Sequence, residues 1–382
     1  MKTFWGILSV AFIMALVFPI VAIVVFISYF SDSRFIFPLA IAAYLALGGF
    51  LVMARFELHR FKKYFFMGAG VLMVIALIFI TPDLYDKTRK VISDGSLEVE
   101  EYKPFQKNTK AVILDEPATL KIEDDLPIID GATALYPIYS AFAQAVYPEA
   151  DYAVHGSEVM SNRTGQAYTN VINGTADIAF VLSPSANQLK EAKDAGKELK
   201  LTPIGKEAFV FFINSKNPVE SLDVDELKGI YAGKITNWQE VGGKNETIRA
   251  FQRPENSGSQ TALQKFMGTT VIMKPPTEDI ASLMGTVIGE VADYKNHNNA
   301  IGYTFRYYSS QMVKNNKIRL LQVNGVEPTV DTIRSGEYPI TNEFYAVTAG
   351  SDNPHVEAFL EWILSDQGQE IIEKTGYVPI QK

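Results

Sequence analysis

Short apolar runs alternate with helix-like stretches from residue 127 to the C-terminus, which predicts an α/β fold with mostly parallel sheet. Two more observations complete the outline. Three long uncharged segments precede residue 82, and small-residue turns join strand to helix at three later points. The chain therefore reads as three membrane helices (1–81), a linker (82–126) and an α/β domain (127–382).

The first elements are apolar. Residues 4–30 (FWGILSVAFIMALVFPIVAIVVFISYF), 35–54 (FIFPLAIAAYLALGGFLVMA) and 64–80 (YFFMGAGVLMVIALIFI) carry no charge. Roughly 20 apolar residues cross a bilayer, so each is an expected span, the last borrowing Thr81 and Pro82. A cleaved signal peptide is the plainer reading of the first segment, but its apolar core is too long and two spans follow. The loop RFELHRFKK (55–63) sets Arg55, Arg60, Lys62 and Lys63 against Glu57, whereas SDSR (31–34) is neutral. The positive-inside rule places the basic loop in the cytoplasm. Everything after about residue 82 then lies outside, on a multi-pass protein of the cell membrane.

Residues 82–126 are densely charged (DKTRK, EVEEYK, KIEDD) and read as a solvated stalk, with short strands at KAVIL and ATLKI. From 127 the texture changes. LPIID, GTADIAFVL, EAFVFFIN, TIRAFQR, AIGYTF, KIRLLQV and EFYAVTA are strand candidates. YPIYSAFAQAVYP, TGQAYTNVIN, LDVDELKGIYAG and TALQKFM are helix candidates, and HVEAFLEWILSDQGQEIIEK reads as one long amphipathic helix. About 255 residues in this style exceed a single core, so two lobes are expected.

Composition limits the chemistry. Cysteine is absent, which excludes disulfides, thiolate metal sites, cysteine nucleophiles and a lipid-modified cysteine. A formal net charge of −8 argues against nucleic acid, whose backbone is held by Lys/Arg clusters. The hydrophobic share of 47% and a mean hydropathy of +0.05 agree with part of the chain lying in lipid. His59, His155, His297 and His355 are scattered, and neither a zinc motif nor a phosphate loop for ATP is present. No cofactor is expected, and an extracellular phosphatase is the least favoured reading.

Three strand-to-helix junctions share one chemistry: DGATALYP (130–137), SNRTGQAY (161–168) and RPENSGSQ (253–260). The first amides of a helix lack internal partners and, with the helix dipole, favour an anion. Thr133, Thr164, Ser257 and Ser259 add hydroxyl donors, while Gly165 and Gly258 admit close approach of the backbone. Arg253 supplies a planar fork of donors that matches two oxygens. Each turn alone is usually a plain helix cap. Together, at the carboxyl ends of strands, they point to a small oxyanion.

These segments, with ELKGIYAGKITNWQEVGG, AIGY, SGEYPIT and FLEWILSDQGQEIIEKTGYVPI, resemble the substrate-binding protein of the bacterial ABC phosphate transporter. The likeness runs from about 127 to 382 and does not cover the three spans. It implies a two-lobed periplasmic-binding-protein-like (type II) fold, with lobe 1 about 127–205 and 302–382 and lobe 2 about 206–301. By position it implies phosphate ligands at Thr133, Ala134, Thr164, Arg253, Ser257, Gly258 and Ser259. Arg163, Gly165 and Ser183 are possible additions. One position departs: where some members carry an Asp that accepts the proton of bound phosphate, and others a Ser before an Arg, this chain reads FVLSPS and places Leu182. Ser183, Glu158, Asp130 and Glu255 are the candidates to replace that acceptor.

The expected function is thus a membrane-anchored extracytoplasmic receptor that binds inorganic phosphate and delivers it to an ABC transporter permease. Two alternatives stand beside it: a sensor or adaptor relaying closure to a membrane partner, and a receptor for another oxyanion such as sulfate.

Overall fold

The computed structural model describes residues 99–275, 299–313 and 315–380, with scattered positions between Leu8 and Val52. The chain divides into two units, Met1–Lys90 and Val91–Lys382. Most of the three expected spans, and the basic loop 55–63, lie outside the described residues. Among the described residues no helix is long and apolar enough to cross a membrane. In the first unit the Tyr44 hydroxyl donates to the carbonyl of Met14 at 3.2 Å.

The second unit opens with β1 (Ile129–Gly131), α1 (Tyr136–Val146), α2 (Arg163–Asn173) and β2 (Ile178–Leu182). Then come α3 (Ala186–Asp194), β3 (Lys200–Asn214), β4 (Ser221–Leu222), α4 (Val224–Tyr231), β5 (Arg249–Ala250) and α5 (Gly258–Met267). After these follow β6 (Ala300–Phe305), β7 (Ile318–Leu320), β8 (Gln322–Val323) and α6 (Val330–Ser335). The chain closes with β9 (Thr341–Thr348), α7 (Val356–Leu364), α8 (Asp366–Thr375) and β10 (Val378–Pro379). Local chemistry sets many of the ends. Ser185 and Gln188 form a capping box that starts α3, Asp223 and Glu226 form one for α4, and Gly174 ends α2 at φ 73°.

One long strand organises the sheet. The order is β1-β2-β9-β3-β6-β5, with β7 and β10 also paired to β3. Residues Lys200–Ala208 of β3 pair with β9, and Phe209–Ile213 pair with β6, so one strand serves both halves. From Glu207 to Asn214 it is buried at every position, as its apolar and aromatic run requires. At the irregularity between Pro203 and Gly205 only a glycine fits, because a Cβ there would collide with the Phe344 ring.

Three expectations are corrected. The sheet is mixed: β1–β2 and β5–β6 are parallel, but every pairing of β3 and β9 is antiparallel, because these strands pass back and forth between the halves. The long C-terminal helix is two helices. Ser365 takes an extended conformation (ψ 170°), and its hydroxyl donates back to the Trp362 carbonyl at 2.6 Å. KAVIL and ATLKI form no strand, and the described part of the presumed stalk is no solvated linker. Val99, Tyr102, Ala111 and Ile122 are buried in the first core, with α1, α7 and α8. Lys103 pairs with Asp151 at 3.1 Å and Lys374 with Asp115 at 2.6 Å, fastening this strap. The second core draws on Leu182, on residues from Ala208 to Ile340, among them Tyr303, Leu321, Ile333 and Tyr338, and on Val378.

A buried ion pair sits where β3 changes partners. Arg306 Nε lies 3.3 Å from Glu207 Oε1, and the same guanidinium donates to the Gly376 carbonyl.

Candidate functional site

The three turns singled out in the sequence meet. They line a cavity of about 260 Å³ whose wall includes Thr133, Ala134, Arg163, Thr164, Gly165, Leu182, Arg253, Ser257, Gly258 and Ser259. Ser183 is not in this wall; it lies against the Tyr345 phenol.

The first turn is held from below. Gly131 is required, since a Cβ there would stand 2.5 Å from the Phe180 carbonyl oxygen. Thr133 opens a single 3-10 turn (Thr133–Leu135) ahead of α1, and the Ala134 carbonyl accepts from the Tyr377 hydroxyl.

The second turn is tied to the first through Asp130, which is fully buried. Its Oδ1 accepts from the amides of Gly131 (2.7 Å) and Asn162 (2.8 Å). Its Oδ2 accepts from the side-chain amides of Asn162 (3.0 Å) and Asn170 (2.7 Å). Asp130 is therefore committed to protein donors and does not serve as the ligand's proton acceptor. Glu158 is not in the wall either; of the four candidates only Glu255 lines the cavity, and it is exposed. Asn162 is the N-cap of α2 but makes no side-chain cap, its oxygen meeting His155 Nδ1 at 2.9 Å instead. Thus the first amides of α2 are not spent on it.

The third turn carries the buried cation. Arg253 is 9% exposed, and its amide donates to Gln260 Oε1 (3.0 Å) and to the Tyr303 hydroxyl (2.9 Å). The Tyr303 hydroxyl in turn donates to Gln260, completing a triangle that fixes the strand end. Burial lowers the Arg253 guanidinium to about 10, and the nearby Arg163 pushes the same way. Arg253 stays cationic at neutral pH. Ser257 caps α5 by accepting from the Gln260 amide at 3.3 Å, which leaves its proton free to donate elsewhere. Ser259 is 1% exposed, and its hydroxyl has no hydrogen-bond partner among the described residues. A buried hydroxyl left unpaired costs about 1–3 kcal/mol, so a polar ligand in the cavity would relieve it.

Two residues on facing turns hold left-handed backbone, Arg163 (φ 69°) and Asn256 (φ 68°). Asn256 also joins the turns, accepting from the Ser185 hydroxyl at 2.9 Å, with its carbonyl near Gly165. Sequence reasoning missed Asn162, Gln166, Asn256, Phe305 and Tyr308, all in the wall. The first three adjoin the motifs, whereas Phe305 and Tyr308 arrive through the end of β6 and left no local signal. Among the described residues no group of three or more His, Asp or Glu is placed to hold a metal ion.

A family model described as a PBP superfamily domain matches residues 127–367. The chain belongs to this superfamily. Among curated PBP relatives, the phosphate-binding protein PstS of Bacillus subtilis is 28% identical over 258 residues, covering 66% of this chain and 80% of that protein. The phosphate-binding protein PstS of Borreliella burgdorferi is 27% identical over 217 residues, covering 55% and 76%. A solved PBP fold similar to this one is a putative phosphate ABC transporter substrate-binding protein with bound phosphate from Clostridium perfringens. It has a TM-score of 0.52 and 24% identity, covering 68% of this chain and 100% of that one. These relatives are binding proteins rather than enzymes.

Proposed function

We propose that the protein is a membrane-anchored, extracytoplasmic receptor that binds inorganic phosphate and delivers it to the permease of an ABC transporter. One observation carries the reading. The buried Arg253 and the buried Ser259 hydroxyl, which has no partner among the described residues, share a cavity with the start of α2, where no side chain caps the helix. That is donor chemistry fixed before the ligand arrives. In this reading Arg253 grips two oxygens, and Thr133, Thr164, Ser257 and Ser259 donate hydroxyl protons. The amides of Ala134 and Gly258 complete the shell. The site holds and releases an ion and performs no chemistry. The names of the relatives support phosphate as that ion. Three uncharged segments and the basic loop 55–63 support the anchor and its orientation.

Calorimetric titration of the full chain with phosphate tests the ligand, the expectation being one saturable site. No heat with phosphate or sulfate sinks the reading. Because the chain has no cysteine, single cysteines test topology cleanly. An impermeant maleimide on intact cells is expected to label Lys197→Cys and to spare Glu57→Cys.

A further inference from the structure

Two arginines line one cavity, and they differ in kind. Arg253 is buried at the end of its strand, whereas Arg163 is exposed on the opposite turn. Arg163 sits there against two costs. Its φ of 69° is a conformation that a non-glycine residue adopts at about 1–2 kcal/mol. It also lies close enough to Arg253 for the like charges to oppose each other. An anion between them relieves the second cost, and does so in proportion to its own charge.

We infer that Arg163 makes this a two-cation site, selecting doubly charged tetrahedral oxyanions over singly charged ones. The inference rests on the oxyanion reading of the cavity and deepens it. The other charged or titratable groups around Arg163 do not supply the same selection. On its own turn, Asn162 links to Asp130, whose carboxylate is filled by four donors, and to His155. From the 253–259 turn come Arg253 and the exposed Glu255, whose charge acts in the opposite sense. From the end of β6 comes Tyr308, which is neutral as a phenol. Buried Arg253 balances one negative charge; Arg163 is the cation left for the second.

The test compares ligand charge states on the full chain. Phosphate carries about one negative charge at pH 5 and about two at pH 8, its second pKa lying near 6–7. Sulfate stays doubly charged at both, so its own pH profile reports protein groups. Arg163→Gly suits the left-handed backbone and removes only the cation. It is expected to weaken sulfate, and phosphate at pH 8, about tenfold, but phosphate at pH 5 only about threefold. The ratio follows because the interaction scales with ligand charge. Arg163→Lys restores most of the difference, and about 0.5 M salt shrinks it, since the cation is exposed. Equal weakening of both charge states, or none, overturns the inference while leaving the receptor reading intact. If the wild-type chain binds neither anion, the receptor reading falls and this one with it.

Discussion

Gly258 lies so close to Thr164 that a Cβ at position 258 would stand 2.8 Å from Thr164 Oγ1 and 3.3 Å from Leu182 Cδ1. The start of α5 is thereby packed directly onto the start of α2, at the floor of the cavity.

Gly258→Ala is expected to displace Thr164 and cut phosphate affinity by at least about tenfold. The strain of that displacement, about 1–3 kcal/mol for an overpacked contact, outweighs the small propensity gain at a helix's first residue, so thermal stability is expected to fall modestly. Calorimetry beside a melting curve separates these effects. Unchanged affinity would show that the two helix starts move apart freely.

Arg253→Ala removes the buried cation. A desolvated, charge-assisted pair is worth about 2–5 kcal/mol, equivalent to roughly 30-fold or more in dissociation constant. Titration with phosphate is expected to show little or no saturation. Retention of tight binding would move the site elsewhere.

Glu207 gives the protein a pH dependence. Burial pushes its carboxyl up to about 7, although the Arg306 guanidinium opposes the rise. The folded state then holds a proton that the unfolded chain has released, so stability falls as pH climbs from about 4.5 to about 7. The change from this group is on the order of 3 kcal/mol. Urea unfolding across that window is expected to show the slope in wild type and to lose it in Glu207→Gln. A wild-type curve that rises over the same interval contradicts the sign.

Ile122 belongs to the strap and is 2% exposed. Ile122→Ala is expected to cost about 2–5 kcal/mol, the usual loss for a buried aliphatic side chain. Chemical denaturation checks it, and a loss under about 1 kcal/mol would return the segment to the status of a loose linker.

The turns were legible in sequence because helix-start chemistry is local. Thr133, Thr164 and Ser257 each sit within a few residues of the glycine or arginine that gives them meaning. Phe305 and Tyr308 were not, because only the pairing of β6 with β3 brings them to the cavity. The same limit explains the sheet. Strand–helix alternation is visible along the chain, but which strand returns antiparallel is a long-range matter. In the strap, Val99, Tyr102, Ala111 and Ile122 are spaced irregularly among charges, so no period betrayed them. Asp130 looked available as an acceptor until its four donors were in place.

The strap has a mechanical consequence. Its salt bridges run to Asp151 and Lys374, and its apolar side chains enter the first core alone. A pull arriving at residue 99 is therefore borne by one half of the domain. The half built on α4 and α5 receives none of these salt bridges or buried strap side chains among the described residues.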